Sequence, residues 1–235
     1  MKELLMIPWY WVLELLFPQR CALCDGLLSK NETDFCEKCR RTEPDFPSLP
    51  EKEHPNRKTK LQFLDSFTSV WYYKGNVRDS ILRLKFHGRT DLAAPLGRRL
   101  AMRLEQDHPE GFDEITWVPV SSLRRFRRGY DQARLLAEAV GGELGMKPRK
   151  LLKKRRHNRP QSSLTSEERR GNVLGVYEIS PNCLVKGKRI LLIDDVFTTG
   201  ATAEECARVL LTAGAKSVSC GTLAAAQKQP QNEIC

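Results

Sequence analysis

The chain has no apolar run long enough to cross a bilayer. The nearest approach is residues 4–17, shorter than the roughly 20 residues a spanning helix requires, and interrupted by Pro8 and Glu14. No small-residue cleavage site follows it, which argues against a secretory signal. The expected structure there is a short amphipathic helix docked on the rest of the protein, or, because Trp9, Tyr10 and Trp11 suit an interface, one that rests on a membrane surface. Internal repeats and low-complexity tracts are also missing, which excludes a solenoid or a disordered tail as the main architecture. Histidine is scarce: His54, His87, His108 and His157 are scattered and form no ligand pattern. Aromatic residues are only 8% of the chain, so few candidates for stacking on bases are evident beyond the N-terminal cluster.

What is present is an ordinary globular composition, 40% hydrophobic and 29% charged. The 235 residues allow one substantial core plus a module too small to fold without a staple. Of the eight cysteines, four form two C-x-x-C pairs, while Cys183, Cys206, Cys220 and Cys235 are scattered. That usage fits metal binding in a reducing compartment rather than a secreted disulfide framework. The expected location is the cytoplasm, with attachment to the inner face of the membrane as the role left for the N-terminal aromatics. A net charge of +10 favours polyanions of every kind, including nucleic acid, anionic lipid and phosphate esters.

Cys21-x-x-Cys24 and Cys36-x-x-Cys39 have the spacing of a four-cysteine knuckle or ribbon, each pair supplying half of a tetrahedron around a structural Zn²⁺. Such a site gives a short segment folding energy that no core of its own could provide. A redox role fits poorly, since two pairs occur and neither opens a helix after a strand. Catalytic zinc fits poorly as well, because four thiolates leave no position for water.

Proline and charge then dominate residues 41–60, with Pro44, Pro47, Pro50 and Pro55. The predicted organisation is an N-terminal helix and zinc module over residues 1–45, a linker over 46–60, and an α/β domain over 61–235. Within that domain the pattern predicts strands at 67–73, 115–120, 173–177, 189–193 and 218–223. Helices are predicted at 77–87, 92–104, 132–144 and 202–213. The run 189–193 is apolar on both faces, as a central parallel strand covered by helices must be. The fold class is therefore α/β, a doubly wound parallel sheet.

Asp194 and Asp195 end that run, and ligands of such sheets bind beyond the carboxyl ends of strands. Thr198, Thr199, Gly200, Ala201 and Thr202 follow, offering hydroxyls and consecutive backbone N–H groups at a helix start. These are the parts of a monophosphate cradle. The adjacent carboxylates require a partner, which a ribose 2′,3′-diol with Mg²⁺ nearby would supply.

Residues 191–202, Leu-Leu-Ile-Asp-Asp-Val-Phe-Thr-Thr-Gly-Ala-Thr, resemble the phosphoribosyl-pyrophosphate (PRPP) signature of type I phosphoribosyltransferases. Further stretches resemble the ComF competence family: Tyr73-Lys74-Gly75 with Arg78 and Ile81, Leu84-Lys85-Phe86-x-Gly88, Val118-Pro119-Val120, Arg124, Arg128-Gly129-Tyr130 and Gln132-Ala133. Gln161, Leu164, Arg169 and Asn172-Val173 continue the likeness, which takes in the cysteine module and residues 15–18. One departure is Asp131, where the family is expected to carry Asn. The resemblance implies a type I phosphoribosyltransferase-like sheet, a PRPP ligand with Mg²⁺, and a pyrophosphate loop over 121–130. In that loop Ser121 and Ser122 would donate hydroxyls, and Arg124, Arg125, Arg127 and Arg128 would neutralise pyrophosphate. The alternative reading of these arginines is a solvated or nucleic-acid-binding face. Lys85 reads as a solvated helix-surface lysine.

Residues 147–159 are rich in Lys and Arg and contain no acid. They read as a mobile, solvated loop or as a single-stranded DNA contact, with Lys153, Lys154, Arg155 and Arg156 as candidates. The ribose-phosphate cradle is expected on a different loop from this run. Two functions follow. The resemblance implies a PRPP-binding competence protein that handles single-stranded DNA during natural transformation, with other competence proteins as partners. The alternative is an active phosphoribosyltransferase that passes ribose 5-phosphate from Mg-PRPP to an acceptor. No acceptor-base hood and no catalytic residue is legible.

Overall fold

A computed structural model describes residues 18–43, 45–46, 61–121, 126, 128–155 and 175–226. The expected N-terminal helix and nearly all of the expected linker lie outside these residues. None of the described helices is long and apolar enough to cross a membrane.

Four parallel strands make the main sheet: β1 (Ser66–Tyr72), β2 (Glu114–Trp117), β5 (Arg189–Phe197) and β6 (Ser217–Ala225). Their spatial order is β1-β6-β5-β2. Central β5 pairs Ile190 with Val218 and Ile193 with Gly221 on one side, and Ile115 with Leu191 and Trp117 with Ile193 on the other. Ile190, Leu191, Leu192 and Ile193 are all fully buried, which requires cover on both faces. Helices α2 (Gly75–Phe86), α3 (Ala93–Asp107) and α4 (Gln132–Glu143) contribute to the cluster that holds Leu191 and Ile193. Helix α5 (Ala201–Thr212) shares the other cluster with Ile190 and Leu192. Helix α4 ahead of β5 and helix α5 after it thus lie on opposite faces of the sheet, with the carboxyl end of β5 between them.

Apolar residues at helical spacing on α3, namely Leu96, Leu100 and Leu104, bury one stripe against this sheet. Gly97 lies on the same helix, and a Cβ there would stand 2.4 Å from that of Ala139 in α4. The helices pack closely at that point because glycine permits it.

The predicted element types hold, with corrected bounds. The strand expected over 115–120 stops at Trp117, leaving 118–120 as irregular chain beside the crevice. Of the strand expected over 173–177, residues 173–174 lie outside the described residues, Gly175 and Val176 are not in a strand, and Tyr177 opens β4 (Tyr177–Ile179), antiparallel to β3 (Leu152–Lys154). Part of the basic run is therefore a hydrogen-bonded strand, not a loop.

The cysteine module is seated on α2 and α3. Cys21, Ala22, Leu23, Phe35 and Cys39 join the buried cluster of Trp71, Ile81 and Leu96. Ser80 Oγ donates to the Ala22 carbonyl at 2.6 Å and Arg83 to that of Leu23 at 2.5 Å. Arg98 forms a two-pronged contact with Asp34 at 2.7 and 2.9 Å, and Arg89 pairs with Asp25 at 2.9 Å. Both aspartates have positive φ, 63° at Asp25 and 59° at Asp34. Asp tolerates this region better than most residues. Helix α1 (Glu37–Thr42) closes the module.

Two further anchors flank residues 47–60. Phe46, where the linker was expected to begin, is 2% exposed and its N–H donates to the Val70 carbonyl at 2.7 Å. Beyond them, Glu204 of α5 accepts from the backbone N–H groups of Gln62, Phe63 and Leu64 at 2.9 to 3.0 Å.

Candidate functional site

A cavity of about 360 Å³ occupies the crevice at the end of β5. Asp194, Asp195 and every residue of 198–202 line it, so the carboxylate pair and the loop expected to hold phosphate share one chamber. Gly200 caps α5 with φ 76°, and a Cβ there would meet the Phe197 ring at 2.5 Å. Only glycine fits the turn that aims the α5 start at the cavity. Phe197 is held by Phe67, with ring centroids 3.9 Å apart.

Successive residues of a strand face opposite ways, so the two carboxylates meet different surroundings. Asp195 is 5% exposed and fully engaged. Lys85 Nζ lies 2.8 Å from its Oδ1, and Gln132 Nε2 donates to its Oδ2 at 3.1 Å. Arg128 in turn donates to Gln132 Oε1 at 2.9 Å. Asp194 accepts from the Asp195 N–H at 2.8 Å. Its carboxyl is pushed up to about 8, first by burial and then by the Asp195 charge, with Lys85 pulling the other way. Burial alone would depress Lys85, yet the charge and hydrogen bond of Asp195, with Asp194 and Tyr73 behind them, hold it above its ordinary value.

Lys85 is the main correction to the sequence reading. It is not a solvated lysine: its side chain is 19% exposed and it supplies the counter-charge of the acid pair. Its neighbours in the pattern Leu84-Lys85-Phe86-x-Gly88 were the available signal. Gln132, the first residue of α4, was visible only as part of a motif, without a role. Asp131 caps α4 by accepting from Arg134 N at 3.3 Å, a task that Asn performs equally well, so the departure at this position leaves the helix start intact. Tyr130 fastens the loop to α2 by donating to the Leu84 carbonyl at 2.6 Å.

Among the residues expected in the pyrophosphate loop, Arg128 lines the cavity, whereas Ser121 is buried and does not. Ser122, Arg124, Arg125 and Arg127 lie outside the described residues, as does Arg156 of the basic run. The run is divided. Lys154 lines the same cavity as Asp194 and sits 5.5 Å from the centre of the Tyr177 ring. Lys153 pairs with Glu178 at 3.0 Å and does not line the chamber. Arg155 is exposed and its backbone N–H bonds Val176. The basic run and the phosphate loop are separate elements, as expected, yet Lys154 brings the run to the same cavity.

The sulfurs of Cys21, Cys24, Cys36 and Cys39 lie within 4.8 Å of one another. Four thiolates at about 2.3 Å from one ion would sit about 3.8 Å apart, and Cys24 Sγ and Cys36 Sγ are already 3.7 Å apart. Burial would raise the Cys21 thiol, but the N–H groups of Cys24, Cys36 and Leu23 outweigh it and hold this thiol below its ordinary value. Asn76 approaches Cys39 Sγ from α2 at 3.9 Å. The cluster could hold a metal ion such as zinc.

The Asp194 environment carries a pH signature. Its carboxyl titrates near 8 in the folded chain against 3.8 for an ordinary aspartate, so the native state binds the proton more tightly than the unfolded one. The resulting stabilisation is complete below about pH 4 and is lost as pH rises through about 8. Asp194→Asn should melt progressively higher than the parent between pH 5 and pH 9, with a gain of at least about 3 °C at the upper end. Thermal unfolding of the ligand-free proteins across that range checks it, and parallel curves would count against the burial argument.

Residues 127–234 match the phosphoribosyl transferase domain family. The chain is 30% identical over 207 residues to competence protein ComFC of Streptococcus pneumoniae, covering 84% of each chain. It is 26% identical over 226 residues to competence protein F of Haemophilus influenzae, 89% of this chain and 98% of that one. With the DNA utilization protein YhgH of Escherichia coli it shares 28% identity over 216 residues, 86% of this chain and 94% of the relative. With the parallel sheet and the acid pair at the end of β5 already in place, these likenesses show that the chain belongs to the ComF family of competence proteins, built on a phosphoribosyl transferase domain.

Proposed function

We propose that this protein binds PRPP with Mg²⁺ in the β5 cavity and handles single-stranded DNA during natural transformation. The observation that carries the reading is the convergence of an engaged acid pair, a glycine-permitted turn and a helix start in one chamber. The backbone N–H groups at the start of α5 and the threonine hydroxyls suit the 5-phosphate. Asp194 and Asp195 suit the ribose hydroxyls, which can donate to the Asp195 carboxylate and hydrogen-bond with the Asp194 carboxyl. Arg128, with Ser122 and Arg124 of the same loop, suits the pyrophosphate, and bound Mg²⁺ supplies further neutralisation there. Lys85 and Gln132 hold Asp195 in place while the diol docks.

The names of the relatives, competence proteins and a DNA utilization protein, support a role with DNA. So does the net charge of +10. Transfer of the ribose 5-phosphate to an acceptor remains the alternative activity of the same cavity. Pyrophosphate release from PRPP and Mg²⁺, in the presence of a panel of bases and nucleic acids, decides between binding and transfer. In the cysteine cluster the occupant we infer is a structural zinc ion, favoured by the all-thiolate ligand set.

Three outcomes are expected. The Asp194→Asn, Asp195→Asn double variant should bind Mg-PRPP at least about a hundredfold more weakly, since the charge of Asp195 and the acceptors of both side chains are lost. Unchanged affinity by calorimetry would overturn the site. Elemental analysis of freshly purified protein should find one zinc per chain, and a preparation without zinc rejects that assignment. For the basic run, Lys153→Ala should lower single-stranded DNA affinity and flatten its dependence on log salt by about 0.7 if it neutralises one phosphate, leaving Mg-PRPP binding alone. Lys154→Ala should weaken both ligands. Equal effects of the two variants on PRPP would show that the division of the run has no functional meaning.

A further inference from the structure

Phe86, the last residue of α2, is 59% exposed at the edge of the β5 cavity. A single exposed phenylalanine is common and by itself requires no explanation. Three observations set this one apart. It follows Lys85 directly, so the side chain that reaches Asp195 and the exposed ring leave adjacent positions of one helix turn and line the same chamber. The Arg128 guanidinium lies 4.6 Å from the centre of the Phe86 ring, and Arg128 is itself fixed through Gln132 to Asp195. The surrounding wall carries the cations Lys85, Arg128 and Lys154. An apolar flat surface braced in position beside cations matches a ligand that is planar and apolar in one part and anionic in another.

We propose that Phe86, braced by Arg128, is a stacking platform for a nucleobase at the mouth of the acid-pair cavity. An aliphatic ligand would gain nothing from the fixed ring orientation, and a simple phosphate ester would gain nothing from the ring. A base gains from both, because its π-face stacks on the ring while its phosphate meets the cations. The chemistry at Phe86 is the same for a free base and for one in a single strand. Placing it next to a ribose rests on the reading of the cavity given above, whereas the platform rests on Phe86, Arg128 and the cations around them.

The test uses the full chain and three probes: a 20-residue oligo(dT), an abasic strand of the same length, and adenine with and without Mg-PRPP. Phe86→Ala removes a mostly exposed ring at a helix end, so the fold should be retained. The variant should bind oligo(dT) about tenfold more weakly than the parent, with abasic-strand affinity and Mg-PRPP affinity within twofold. Phe86→Trp should restore oligo(dT) binding. Loss confined to oligo(dT) identifies a strand as the source of the base, and loss of adenine binding identifies a free base. Either supports the platform. The proposal is overturned when Phe86→Ala binds both base-containing probes as the parent does, or loses the abasic strand equally, or when the parent binds neither. A parent that fails to bind Mg-PRPP but shows the Phe86 effect refutes the PRPP reading and leaves the platform standing.

Discussion

Two carboxylates on consecutive residues at the end of a buried strand are the constraint around which this fold is arranged. A carboxylate removed from water is costly unless a cation and hydrogen-bond donors replace the lost solvent. Asp195 obtains both from helices that come from different parts of the chain: Lys85 from the end of α2 and Gln132 from the first position of α4. Once these contacts are required, the ends of both helices must converge on the carboxyl end of β5. Tyr130 reinforces that convergence by tying the loop before α4 to the Leu84 carbonyl. Asp194 is pushed up first by burial and then by the charge of Asp195 beside it, which Lys85 offsets only in part.

Much of this was legible beforehand because its signals are local. The run Ile190 to Ile193, apolar on both faces, could only be a covered parallel strand, and the Asp-Asp and Thr-Thr-Gly sequence after it carried its chemistry in consecutive residues. The paired cysteines were equally plain, since C-x-x-C spacing already brings two ligands together. What could not be read was anything that depends on which helix turn meets which strand end. Lys85 has the sequence context of an ordinary surface lysine, and only the convergence of α2 on β5 distinguishes it. Lys153 and Lys154 are neighbours of identical type, yet strand alternation sends one to Glu178 and the other to the cavity. The scarcity of aromatics likewise concealed that one of them, Phe86, stands at the cavity mouth.

The cysteine module is bound into the same arrangement. Its carbonyls at Ala22 and Leu23 receive Ser80 and Arg83 of α2, the helix that also presents Lys85. A metal held by the four cysteines would therefore order the surface on which α2 rests, and α2 is in contact with both the module and the acid pair.

The anchors on either side of residues 47–60 bear on how the molecule is held together. Phe46 is fastened to Val70 of β1, and the segment from Gln62 to Leu64 is fastened to Glu204, one turn into the helix whose start faces the cavity. With Ser80, Arg83 and Arg98 gripping the cysteine module, module and sheet are held together by side chains and buried surface in addition to the chain that joins them. Loop closure between two fixed ends changes only slowly with length, so lengthening the connection between Phe46 and Gln62 costs little loop entropy.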